Sequence, residues 1–145
     1  MSYDLLKFES FEELLRYLDR EITRLSAKLS ELSSHYARLK EKAERMKQVE
    51  EVLSKVLGEK IATMNEVDLM GVKVVIDARA VDEIKVLEEV ITSTEDILNA
   101  MKKARKVLEP IARSVSSSGG IEGIDILVET VNGIPIRVLL RERAT

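Results

Sequence analysis

Residues 18 to 39, LDREITRLSAKLSELSSHYARL, place an apolar side chain at 18, 22, 25, 29, 32, 36 and 39, in alternating steps of four and three. A 3.5-residue period confines those side chains to one narrow stripe of a helix, and a stripe kept in register over many turns implies a left-handed coiled coil. The stripe begins at Phe11 and Leu15 and continues through Ala43 and Met46 to Leu53 and Leu57. Its one break is Glu50, where Val49, Val52 and Val56 widen it. Ser10 suits the N-cap and Glu13 the N3 position of a capping box, and Gly58 suits a C′ stop. A helix over residues 10 to 57 would be roughly 70 Å long.

The chain then changes character. Residues 59 to 71 fit either a short helix or an irregular link ending at Gly71, and VKVVIDA over 72 to 78 reads as a β-branched strand. A second helix follows over 80 to 115, with Asp82 and Glu83 in its first turn and a stripe broader than a coiled-coil seam. Pro110 lacks an N–H and is expected to end or kink it near 110. SSSGG over 116 to 120 reads as a hinge. Over 121 to 142, two apolar runs flank Asn132-Gly133, the signature of a type I′ hairpin that needs positive φ at both turn residues. That turn predicts Val131 opposite Ile134, Glu129 opposite Ile136 and Leu127 opposite Val138, with Pro135 on an edge strand.

The expected fold class is therefore α+β and mainly α, one domain over 1 to 145 in the order α-β-α-β-β. It comprises a long coiled-coil helix, a second antiparallel helix, and a small β element with a C-terminal hairpin. A lone hairpin is marginal in water, so the 72 to 78 strand is expected to join it as a third. Charge favours the helix pairing. Residues 37 to 60 carry seven basic and five acidic groups, while 61 to 101 carry three basic and nine acidic. The basic end of the first helix would lie beside the acidic start of the second.

Lengths then set the assembly expected. A second helix of about 45 Å would leave about 25 Å of the first uncovered. Its bare seam, Phe11, Leu15, Leu18, Ile22, Leu25 and Leu29, continuing to Leu32 and Tyr36, is expected to dock on a second copy as a homodimer or tetramer.

The candidates for chemistry are thin. With 23 basic and 26 acidic residues the net charge is −3, so no global field recruits nucleic acid or an anionic membrane. Cysteine is absent, leaving no disulfide framework and no thiolate metal site. No apolar run approaches the ~18 residues of a membrane span, and the N-terminus lacks the pattern of a signal peptide, so a cytoplasmic location is expected. Charged residues make up 34% and amides are few, a lean toward a thermophile.

His35 reads as a solvated helix residue, and Asp77 as a strand-end acid with no phosphate loop to complete a magnesium site. SSSGGIEG follows a helix, whereas phosphate-binding loops precede one. Arg38, Lys42, Arg45, Lys102, Lys103 and Lys106 form basic helix flanks that could touch phosphates, but acids interrupt the first cluster and few aromatics are present for base stacking.

The length and the helix–β–helix order resemble those of prefoldin subunits, chaperones with paired coiled-coil arms on a β body. Prefoldin subunits carry hairpins between the helices, whereas the Asn132-Gly133 hairpin follows the second, so no family is assigned. The functional expectation is a non-enzymatic homo-oligomeric scaffold or adaptor, without cofactor or metal, that presents a small β module to an unidentified protein partner. A nucleic-acid or chromosome-associated factor is the first alternative, and a prefoldin-like holdase a more distant one. A cofactor-free enzyme stands last, because no nucleophile, base and orienter can be read from the sequence.

Overall fold

The computed structural model describes residues 2–57, 66–75, 79–119 and 122–143. Its elements are β1 (Tyr3–Phe8), α1 (Phe11–Leu57), β2 (Glu66–Leu69), β3 (Val72–Val75), α2 (Arg79–Ser117), β4 (Ile124–Val131) and β5 (Ile134–Glu142). The class is α+β and mainly helical, and the expected α-β-α-β-β order holds with two strands added, β1 at the front and β2 beside β3. Gly58 and Asp77 lie outside the described residues. The chain divides into two compact units, Met1–Leu29 with Ser93–Thr145 and Ser30–Thr92.

The first unit holds the three-stranded sheet, ordered β1-β4-β5 and antiparallel throughout. The third strand is thus β1, not the strand at 72 to 78, which pairs with β2 in a separate two-stranded sheet. The physical reason lies in alternation. Leu6 and Phe8 turn to the core while Tyr3, Leu5 and Lys7 turn out, so YDLLKF covers the edge of β4. Asn132 and Gly133 take positive φ of 53° and 81°, as the I′ turn requires. The turn is clasped to the N-terminus: Asn132 N–H donates to Ser2 O at 2.8 Å, and Ser2 N–H donates to Asn132 Oδ1 at 3.0 Å.

Val131 faces Ile134 as expected, and β5 is an edge strand, which accommodates Pro135. Beyond the turn the expected register fails. Thr130 pairs with Pro135 and Glu129 with Arg137, so Ile136 is the extra residue of a bulge. Proline cannot donate to the ladder, and the bulge sits beside it. The slip moves Val138 opposite Val128 on the helix-facing side and Leu139 opposite Leu127 on the outer side, exchanging the faces that a regular hairpin would give them.

The core of this unit joins Phe8, Phe11, Leu14, Leu18 and Leu25 to Leu98, Met101, Leu108 and Ala112 of α2 and to Ile126 and Val128 of β4. Leu14 and Leu18 are 0% exposed. The bare seam expected over residues 11 to 28 is therefore covered by the chain itself. The cover comes from α2, which runs on through Pro110 to Ser117, and from Ile126 and Val128 of β4. Pro110 faces solvent, Leu108 and Ala112 are buried on either side of it, and Glu109 bridges Arg105 and Arg113 at 2.7 Å each. Burial and ion pairs thus carry the helix past one missing hydrogen bond.

The last turns of α2 then lie beside the first of α1, running antiparallel: Ser116 Oγ donates to Glu12 Oε1 at 2.6 Å, and Arg105 donates to Asp19. Ser116 and Ser117 are helical rather than part of a hinge. The Ser117 and Ser118 hydroxyls bond the carbonyls of Arg113 and Ser114, and Gly119, at φ 87°, ends the helix.

At the start of α1, Ser10 Oγ accepts from Glu13 N–H at 3.1 Å. Glu13 Oε2 accepts in turn from Glu9 N–H at 3.0 Å, one residue earlier than the usual reciprocal bond.

In the second unit Leu39 is buried, and Tyr36 donates its hydroxyl to Glu88 at 2.9 Å, an antiparallel contact between α1 and α2. The β2–β3 hairpin turns at Met70 and Gly71, both with positive φ.

Candidate functional site

Two features of the first unit stand apart from routine packing. One is on the outer face of the sheet, turned away from the helices. Asp125 sits on the central strand and is only 2% exposed. Arg141 lies directly opposite it on β5, and Lys7 projects from β1 on the same face. Arg143 Nε donates to Asp125 Oδ1 at 3.0 Å, while Lys7 Nζ and Arg141 lie 3.5 and 3.8 Å from Oδ2. Desolvation on the central strand pushes the Asp125 pKa up. The Arg143 hydrogen bond and the charges of Lys7 and Arg143 outweigh it, and hold the carboxyl below its ordinary value. A carboxylate so stabilised is a fixed acceptor rather than a proton donor at neutral pH. Its chemistry is that of a clamp, tying β1 and the end of β5 to β4.

Glu129 repeats the pattern less completely. Arg137, opposite it, approaches Glu129 Oε1 at 3.6 Å, and that oxygen is buried without a hydrogen bond. Around these pairs Tyr3, Leu5 and Leu139 remain exposed.

The other feature is a groove between α2 and β5. Ala100, Ala104, Val107 and Leu108 form one wall, Pro135, Ile136 and Val138 the other, and Lys103 and Arg137 stand at its rim. The cleft measures about 330 Å³. A second cleft, of about 320 Å³, lies farther along the same two elements, between Ala112 and Val115 of α2 and Leu140 of β5. Large apolar side chains remain exposed beside these clefts: Val107 at 61%, Ile111 at 44%, Ile136 at 54% and Leu140 at 56%. Among the described residues β5 has no neighbour on its far side, so an open strand edge adjoins an apolar groove.

The residues singled out from sequence fall elsewhere. Phe11, Leu18 and Leu25 are buried in the chain's own core, and Leu15, Ile22 and Leu29 pack partly against it. Leu32 and Tyr36, in the second unit, are half-buried. Arg38, Lys42 and Arg45 belong to the second unit, with Arg45 paired to Glu41 at 3.5 Å. Lys102, Lys103 and Lys106 belong to the first and are exposed, so the two basic clusters do not share a unit. His35 is exposed on α1 beside Ser34 and Arg38.

Sequence reasoning missed the Asp125 cluster because it depends on β1 and on the bulge. The available signal was an acid within an otherwise apolar strand, facing a strand with arginines at 137, 141 and 143. Among the described residues no group of three or more acids or histidines is placed to hold a metal, and no helix is long and apolar enough to cross a membrane. Comparisons with protein-family models, curated proteins and solved structures return no match to this chain.

Proposed function

We propose that the protein is a cytoplasmic, non-enzymatic scaffold or adaptor that self-associates and presents its β module to other proteins. The observation that carries this reading is the open β5 edge beside the apolar groove, with Val107, Ile111, Ile136 and Leu140 exposed around it. Exposed apolar groups gathered at an unpaired strand edge form the kind of surface that protein partners cover. The ionisable groups of the sheet support the same reading. Asp125 and Glu129 are tied to cations across neighbouring strands and act in holding the sheet.

The competing nucleic-acid reading would use Lys102, Lys103 and Lys106, whose ammonium groups form no ion pair among the described residues. Chromatography of the full chain on heparin and on immobilised duplex DNA separates the two. The adaptor reading expects elution at low salt with little salt dependence. Retention that falls steeply with salt, and that is lost on replacing the three lysines with glutamine, would overturn it.

A second reading, a holdase, is favoured by the β2–β3 hairpin, which stands between the helices where prefoldin subunits carry theirs. It expects the protein to suppress aggregation of a thermally unfolding client at near-stoichiometric ratios.

A further inference from the structure

The β5 edge has a self-complementary pattern. Val138 stands between Ile136 and Leu140, and all three side chains line the clefts on the helix-facing side. If two copies of β5 run antiparallel about a two-fold axis at Val138, Ile136 of each faces Leu140 of the other. Arg137 then faces Leu139, and Arg141 faces Pro135. The central pairs on the helix side, Ile136 with Leu140 and Val138 with Val138, are apolar, the outermost sets Ile134 against Glu142, and no cation meets a cation. Centring the axis one residue later, on Leu139, would set Arg137 against Arg141 twice, which like-charge repulsion disfavours. The sequence of the edge therefore favours an axis at Val138, the midpoint of β5, over one at Leu139.

The helix above the edge agrees with that axis. Val107 and Leu108 share a cleft with Val138, and Ala112 and Val115 share the next with Leu140, so the exposed Val107 and Ile111 lie over the middle of β5. A two-fold axis through Val138 carries both toward their own copies. The edge charges that usually oppose such pairing have partners within their own sheet: Arg141 lies toward Asp125 on the outer face, and Arg137, at the rim of the groove, lies toward Glu129. The bulge contributes as well, since it is what places Val138 and Leu140 on the helix-facing side.

We infer that β5 pairs with β5 of a second copy of this chain, antiparallel about Val138, joining two three-stranded sheets into one of six with Val107 and Ile111 closing the groove. The inference rests on the assembly reading above and names its partner. Closed two-fold pairing of one surface patch with itself is the commonest way for a soluble chain to cover such a strip.

Three variants of the full chain, compared with wild type by sedimentation equilibrium, test both the partner and the register. Ile136→Lys with Leu140→Lys sets ammonium against ammonium twice across the axis, and the dimer dissociation constant should rise at least about tenfold. Ile136→Lys with Leu140→Glu sets each ammonium against a carboxylate of the other copy. It should recover most of that loss, although positions 136 and 140 of one chain are too far apart to pair. The chain has no cysteine of its own, so Val138→Cys should give a disulfide-linked dimer on mild oxidation. Directly opposed antiparallel residues bring Cα atoms within disulfide reach.

Circular dichroism of each variant shows that it is folded. A folded wild type that stays monomeric overturns the inference, as does a dimer indifferent to both double variants. The first result also removes self-association from the reading above, whereas the second overturns the β5 pairing alone and leaves that reading standing.

Discussion

Leu18 and Leu32 occupy equivalent places in the apolar repeat of α1, yet the structure treats them differently. Leu18 is 0% exposed in a core built from two helices and a sheet, whereas Leu32 is half-buried in the second unit. Leu18→Ala removes a branch of three carbons. At about 0.8 kcal/mol per buried carbon the transfer loss is about 2.4 kcal/mol. A residual cavity of roughly 60 Å³, at about 24 cal/mol per Å³, adds about 1.4 kcal/mol. The total is near 4 kcal/mol, a large share of the 5–15 kcal/mol by which domains are typically stable. Leu32→Ala loses only part of the transfer contribution and leaves a site that water can fill, so about 1–1.5 kcal/mol is expected.

Urea unfolding followed by far-ultraviolet circular dichroism measures the contrast. With a slope of about 2 kcal/mol per molar, Leu18→Ala should lower the midpoint by about 2 M and Leu32→Ala by less than about 1 M. The Leu18→Ala shift should also be the same at low and high protein concentration, because the core around Leu18 is built within one chain. Equal shifts for the two variants, or a Leu18→Ala shift that shrinks as concentration rises, would refute the packing argument and restore a seam between copies.

Asp125→Asn should lower the melting temperature near neutral pH and flatten its acid dependence. A carboxyl held below its unfolded value of about 3.9 stabilises above that pH and loses the contribution as pH falls through the folded value. Thermal melts between about pH 2 and 7 check the sign, and an unchanged acid limb would count against the clamp. Ser10→Ala removes the acceptor for Glu13 N–H and should cost about 1 kcal/mol in the same urea assay. Gly133→Val puts its Cβ at 3.6 Å from Met101 Cε, an ordinary contact. The cost, about 1–2 kcal/mol, comes from forcing a β-branched residue to φ 81°, and an unaltered unfolding midpoint would contradict it.

Much of the architecture was legible because it depends on local rules. The 3.5-residue repeat marked α1, Ser10 and Glu13 marked its start, and Asn132-Gly133 marked a turn whose two residues do have positive φ. These features read directly because each depends on residues a few positions apart. The antiparallel helix pair was legible too, but not what else covers each element. The leucine stripe was correctly seen as needing a partner, but periodicity states that a stripe is buried and never against what.

Tertiary contacts decided the remainder. α2 runs through Pro110 because Leu108 and Ala112 are buried on both sides of it, a gain that propensity does not register. YDLLKF becomes a strand because β4, more than 100 residues away, offers it an edge, and Asp125 becomes a buried anion only once Lys7 and Arg143 reach it. The bulge at Ile136 decides which face Val138, Leu139 and Leu140 present, and so which apolar groups stand at the open edge. Sequence by itself determined where helices and turns can begin, because those choices are settled within a turn of backbone. Which surface each element hides or leaves open is a matter of long-range burial, and that only the folded chain settles.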